Sequence, residues 1–281
     1  MTKRTYTYRN GDIIDQDIAT DRGLLYGDGV FTTIAIKEGK ARYLELHFQR
    51  LLHDCQRLKI DSVPLADIKL AFETSVKNVT DGIARITISR SSGERGYLCV
   101  EAKPVYWISI SPLPTHLELY SKQGIKVRIC EQRLAQNKTL AGIKHCNRLE
   151  QVMARNEWHG DQFQEGLMRD TEGNFIEGTM SNLFIIKNQQ LLTPDLTFSG
   201  VEGIMRRLII SLAQQANIPV NITSIKSREL FSADGAFVTN SVIGIWPICS
   251  IEQGAGMKQL AKHPLMVTLQ SSVNKLNLTS L

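Results

Sequence analysis

Apolar and polar residues alternate along this chain with two different periods, and the period changes mark its elements. In RYLELHFQRLLHDCQRLKI (42–60), Leu44, Phe48, Leu51, Cys55 and Leu58 recur at three- and four-residue steps, which predicts a helix with one buried face and leaves Arg50 and Arg57 off that face. ARITISR (84–90) and VYWISISP (105–112) are rich in β-branched and aromatic residues and read as strands, with SSGERG as a turn after the first. SPLPTHLE (111–118) has two prolines and no periodicity, the signature of a linker. Beyond it, GLMRD and FIEGTMSNLFII read as strands around the turn TEGN, and KNQQ turns the chain into LLTP. SGVEGIMRRLIISLAQQANI predicts a helix opened by two glycines, with Met205, Leu208, Ile209, Leu212 and Ala216 on one face. GAFVTNSVIGIWPI reads as a strand running into a turn of glycine and serine. Strands and helices mix without strict alternation, so the expectation is an α+β chain of two domains: an N-terminal α/β domain over 1–112, a linker over 113–120 and a C-terminal α/β domain over 121–281.

Composition narrows the function classes. With 281 residues, 42% of them hydrophobic and 22% charged, the chain is far from the disordered and fibrous extremes and long enough for a large core. The net charge of +5 is spread thinly, which favours small anionic ligands over a nucleic-acid groove. Five widely spaced cysteines without a C-x-x-C pair suggest free thiols in a reducing compartment. The polar N-terminus does not resemble a signal peptide, and no stretch reaches membrane-span length, so the expected location is the cytoplasm, with no membrane or nucleic-acid partner. The six histidines show no metal-ligand spacing, and no metal is expected.

Three stretches carry candidate chemistry. In LAGIKHCNRLEQV (140–152), Lys144 sits where a small-residue turn gives way to an amphipathic run that reads as a helix, either a solvated lysine or a placed amine. In EGTMSNLF (177–184), Glu177 interrupts an apolar strand; a buried carboxylate needs a cationic or hydrogen-bonding partner, which a protonated ring nitrogen or a structural arginine would supply. The helix start in GVEGIMRR offers unpaired N–H groups to an anion such as phosphate, and the hydroxyl of Ser241 in TNSVIG could serve the same anion or cap a turn.

These stretches occur in the order DRGLLYGDGVFTT, HFQRL, AGIKHCNRLEQVMARNEW, IEGTMSNLF, GVEGIMRR and TNSVIGIWPI. In that order the chain resembles the class IV, or fold-type IV, pyridoxal-phosphate (PLP) enzymes over nearly its whole length. The resemblance implies the two-domain architecture typified by D-amino-acid aminotransferase. Within the family, GDGVFTT, RLAQNKTLAGIKHCNRLEQV and SRSSGERGY are most similar to the 4-amino-4-deoxychorismate lyases, because the aminotransferases usually carry glutamate where this chain has Thr32.

The resemblance implies the roles that follow. Lys144 would be the Schiff-base lysine, which requires an amine able to lose its proton near neutral pH. Arg50, the backbone N–H groups of Ile204 and Met205, and Ser241 would bind the PLP phosphate, and Glu177 would face the pyridine nitrogen. The implied reaction converts 4-amino-4-deoxychorismate to 4-aminobenzoate and pyruvate, a step toward folate, with Lys144 moving the proton and Thr32 as a candidate donor to the leaving group. Arg90, Arg95 and Tyr97 are the candidates for the substrate carboxylates, with a solvated hairpin tip as the alternative. His145 could act as a base or serve the structure. A homodimer is implied, and a branched-chain or D-amino-acid aminotransferase is the alternative activity.

Overall fold

The computed structural model of the chain describes residues 4–9, 12–13, 21–90, 96–99, 103–254 and 256–279. They form two units that divide after Pro114, with Ile143–Asn147 returning to the first. The linear division at 113–120 differs from this in two ways. A helix, Leu117–Gln123, begins inside the expected linker, and the segment that holds Lys144 belongs with the N-terminal elements.

The first unit contains β1 (Arg4–Arg9), β2 (Asp12–Ile13), α1 (Arg22–Tyr26), β3 (Gly29–Lys37), β4 (Lys40–Ala41), α2 (Leu44–Arg57), α3 (Leu65–Val76), β5 (Gly82–Ser89) and β6 (Val105–Ser111). Its strands join in the order β2-β1-β6-β5-β3-β4, every pairing antiparallel. β3 is buried on both faces, as expected of a strand with helix packed on one side. Val30, Thr32, Ile34 and Ile36 share one face by the two-residue period. The apolar members of that face enter a core with Phe48, Leu51 and Cys55 of α2 and Ile68 and Phe72 of α3. The predicted helix forms as Leu44–Arg57, inside the expected stretch, with Phe48, Leu51 and Cys55 buried.

The second unit contains α4 (Leu117–Gln123), β7 (Ile125–Leu134), α5 (Leu149–Arg155), β8 (Glu165–Asp170), β9 (Phe175–Gly178), β10 (Asn182–Lys187), β11 (Gln190–Pro194), α6 (Ile204–Gln215), β12 (Val220–Thr223), α7 (Ser227–Phe231), β13 (Gly235–Asn240), β14 (Gly244–Gln253), β15 (Gly256–Gln259) and α8 (Pro264–Thr279). Strand order is β12-β11-β10-β13-β14-β7-β8-β9, with β15 on β14 and β9 also pairing β10. That last pairing closes β10, β13, β14, β7, β8 and β9 into a ring. Apolar side chains from these strands, among them Val127, Leu167, Phe175, Leu183, Val238 and Trp246, form its core. The unit mixes parallel and antiparallel pairs, in keeping with an α+β chain.

Two readings of the helices need correction. The helix after Lys144 starts only at Leu149, and its apolar residues Leu149, Val152 and Met153 are 72%, 50% and 54% exposed, leaving Ala154 as its buried anchor. In α6 the buried stripe runs through Met205, Ile209 and Ala213, while Ala216 lies past the end of the helix and is exposed. Among the described residues no helix is long and apolar enough to cross a membrane.

Candidate active site

In the first unit, Lys144 lies on an extended segment beside the start of β3. Its carbonyl accepts from the Phe31 N–H at 3.0 Å, and the next residue, His145, bridges to Val30. The Lys144 N–H donates to Asp54 Oδ2 at 3.1 Å, so α2 grips the lysine's backbone from the other side. Its Nζ stands 4.5 Å from the centre of the Phe31 ring, a cation–π distance. The bridge ties down the backbone at Lys144 although no helix begins beside it.

Arg50, read from sequence as a polar-face residue, is 5% exposed. It donates to the hydroxyl of Thr32, which also lies 2.5 Å from His47 Nδ1. Thr32 and His47 are each 0% exposed. Burial, with the positive charges of Arg50 and Lys144 adding to it, pushes His47 well below its usual 6.5, so the imidazole is neutral at neutral pH. Asp54 is displaced the other way: burial raises it, against the lowering effects of the Lys144 N–H and of Arg50, His53 and Arg57. His47, Arg50 and Asp54 thus form a buried polar stripe on α2 at i, i+3 and i+7, one residue ahead of the apolar stripe Phe48, Leu51 and Cys55. Next to this stripe, burial pushes the Cys55 thiol up to about 12, too high for a thiolate to form near neutral pH.

In the second unit, Glu177 on β9 is 4% exposed and pairs across the sheet with Met168 and Asn182. Its Oε2 accepts from the Val201 N–H at 2.8 Å and its Oε1 from Gln151 Nε2 at 3.2 Å. Asn182 Nδ2 donates to the Val201 carbonyl at 2.7 Å. These bonds fasten the segment just ahead of α6, which leads into Ile204 and Met205, to β9 and β10. Two glycines permit the approach. Gly200 has φ +89°, a conformation that favours glycine, and a Cβ on Gly203 would come within 2.1 Å of Asn182 Oδ1. Gly203 is also the N-cap of α6 and brings no side chain to its first N–H groups, which suits an external anion. Ser241 lies in the β13–β14 turn, where Asn240 accepts from the Val242 and Ile243 N–H groups at 2.8 and 2.9 Å and donates to the Met180 carbonyl at 3.0 Å.

The structure therefore gathers Lys144, Arg50 and Thr32 in one unit and Glu177, Ile204, Met205 and Ser241 in the other. Each set suits part of a phosphorylated, ring-nitrogen cofactor: a lysine amine and a buried arginine in the first, a buried carboxylate and an open helix N-terminus in the second. Three expectations fare differently. Thr32, a candidate proton donor, has its hydroxyl committed to Arg50 and His47. Arg90 is a clamp, its Nε on Asp28 Oδ2 at 2.9 Å and its two terminal nitrogens on the Leu58 and Lys59 carbonyls, so three of its five N–H donors already serve the fold. Tyr97 is 87% exposed, its ring edge-on to Tyr26 at 5.4 Å, and Arg95 lies outside the described residues. His47, Asp54 and Gln151 were not singled out from sequence. For the first two, the signal available was their i, i+3, i+7 spacing with Arg50.

The family model described as amino-transferase class IV matches residues 29–251. An aminodeoxychorismate lyase of Vibrio harveyi is 33% identical over 259 residues, covering 90% of this chain and 94% of its own. A Methanocaldococcus jannaschii protein provisionally named a branched-chain-amino-acid aminotransferase is 32% identical over 257 residues, 87% of each chain. The crystal structure of 4-amino-4-deoxychorismate lyase from Pseudomonas aeruginosa superposes with a TM-score of 0.90 at 36% identity, covering 97% of this chain and 98% of that one.

Proposed function

The chain belongs to the class IV aminotransferase family, and from that premise we propose that it is a PLP-dependent carbon–oxygen lyase that converts 4-amino-4-deoxychorismate to 4-aminobenzoate and pyruvate for folate synthesis. The observation that carries the lyase reading is the near-complete overlap, at 36% identity, with a structure of that name. When bound, PLP supplies an electron sink for charge developing on the substrate carbon. Lys144 Nζ anchors the cofactor and, once released, takes the proton from the substrate carbon that bears nitrogen; it is also placed to return a proton to the departing enolpyruvyl group. Arg50, the N–H groups of Ile204 and Met205, and the Ser241 hydroxyl hold the phosphate. Glu177, oriented by Val201 and Gln151, holds a proton on the ring nitrogen.

The same reading extends to a cytoplasmic homodimer. It is supported by apolar side chains that the first unit leaves in solvent, Leu24 at 62%, Leu25 at 53% and Leu98 at 79% exposure; sedimentation at a monomer's mass would count against it. The function is tested by incubating the PLP-loaded protein with 4-amino-4-deoxychorismate and measuring 4-aminobenzoate. Product should form, and Lys144→Ala should abolish it while the protein stays folded. Faster amino transfer from a branched-chain amino acid or D-alanine to a 2-oxo acid would replace the lyase with the aminotransferase, the activity named for the archaeal relative.

A further inference from the structure

The side chain of His47 is fully buried, and among the described residues its only hydrogen bond is the 2.5 Å contact with Thr32; its Nε2 has no partner. Such a group is costly to keep, so that one bond has to account for it.

Counting protons settles the bond's direction. The Arg50 guanidinium can only donate, so its contact occupies a lone pair of Thr32 Oγ1. If His47 Nδ1 carried a proton and also donated to that oxygen, the Thr32 hydrogen and a bare Nε2 would both be stranded in a dry interior. If Nδ1 is bare, Thr32 donates to it and only the Nε2 hydrogen lacks a partner. The second arrangement leaves fewer groups unsatisfied. The bonds then run one way, from Arg50 to the Thr32 oxygen and from the Thr32 hydroxyl to His47.

We propose that His47 is a positioning residue for Arg50: by taking the Thr32 hydroxyl hydrogen on Nδ1, it turns the Thr32 oxygen toward the guanidinium and holds Arg50 where it binds the cofactor's phosphate. The inference rests on the PLP reading and gives the Thr32 hydroxyl a binding role in place of proton transfer. The groups facing His47 agree with a neutral ring. Burial first, and then Arg50 on its own helix and Lys144 on the neighbouring segment, disfavour a positive charge on the ring.

The test compares binding of PLP with binding of pyridoxal, which lacks the phosphate, followed by absorbance of the loaded protein. Thr32→Val and His47→Leu should each weaken PLP binding about tenfold and leave pyridoxal binding unchanged. The double variant should be no weaker than either single one, because the two residues act through one bond chain. Thr32→Ser, which keeps the hydroxyl, and His47→Asn, which keeps an acceptor near the Nδ1 position, should bind PLP nearly as the parent does and guard against misfolding of the harsher variants. Equal weakening of PLP and pyridoxal would reduce the triad to general packing and overturn the inference. Unchanged PLP affinity with lost turnover would return Thr32 to the role of proton donor and overturn it as well. A parent protein that binds no PLP would defeat the proposed function and this inference together, whereas a parent that binds beside unresponsive variants would defeat the inference alone.

Discussion

Two buried glutamates on neighbouring strands of the second unit are satisfied in opposite ways. Glu165 on β8, 1% exposed, receives five donors: the Gly166 N–H, the Thr179 N–H and hydroxyl, the Met180 N–H and the Ser181 hydroxyl, at 2.5–3.3 Å. Four of the five come from the single turn between β9 and β10, so this carboxylate builds a turn. Glu177 on β9 takes its donors from Gln151 and Val201, 26 and 24 residues away in opposite directions, so it ties together segments that the chain keeps apart. A buried carboxylate filled by one turn serves the fold; one held at the meeting of α5, β9 and the entry to α6 is oriented toward something else. Asp170 at the end of β8 is mainly of the first kind, holding the Glu172 and Asn174 N–H groups at 3.0 and 2.8 Å, with Gln136 Nε2 at 3.0 Å as its distant donor. Asp54, which takes the Lys144 N–H from 90 residues away, is of the second.

Substitutions can break this distinction. The largest effect is expected for Glu165→Ala, which strands several buried donors and should cost roughly 3–4 kcal/mol of stability, read as a lowered urea midpoint. Turnover per folded molecule should change far less, and a stable but inactive variant would place Glu165 with Glu177. Glu177→Gln should do the reverse: it keeps size and one acceptor for the Val201 N–H, its NH2 meeting a Gln151 amide turned to present oxygen, but carries no charge, so turnover should fall about a hundredfold, roughly 2.7 kcal/mol at the transition state, with a smaller stability loss than Glu165→Ala. Activity equal to the parent's would make Glu177 a structural partner only. Gln151→Leu removes the donor on Glu177 Oε1 and should lower turnover about fivefold, near 1 kcal/mol; no change would mean that Gln151 does not orient the carboxylate. The smallest effect is a pH dependence. Burial acts to raise Asp170, but hydrogen bonds from Asn174, Gln136 and Glu172 outweigh it and hold the carboxyl below 3.8. A depressed carboxyl stabilises the fold above its unfolded value and loses that contribution as pH falls through its folded one. The stability gap between the parent and Asp170→Asn should therefore shrink below about pH 4, and a gap that widened there would reverse the sign assigned to the group.

The sequence by itself determined those features that depend on period or on local residue chemistry. The three- and four-residue steps of α2, the β-branched and aromatic runs of β5 and β6, and the glycines ahead of α6 were all legible, because each follows a local rule of burial, strand packing or turn geometry that holds wherever the element sits. Lys144 and Glu177 stood out from their immediate surroundings, but the roles of both, and of Arg50, came only through the family resemblance, since a lone lysine, a polar-face arginine and a strand glutamate each have an ordinary structural explanation. Tertiary structure decided which polar residues are buried and what they meet. α2 carries a second buried stripe, His47, Arg50 and Asp54, that looks from sequence like a solvated face, because hydrophobicity alone cannot show that β3 and the Lys144 segment cover it. Arg90 reads from sequence as a ligand for an anion, and the fold engages three of its five donors with Asp28 and two backbone carbonyls, 62, 32 and 31 residues away. The physical reason is the same in both cases. Burial of apolar surface is encoded position by position, whereas the satisfaction of a buried charge depends on groups distant in sequence, and only the folded chain brings them within hydrogen-bonding distance.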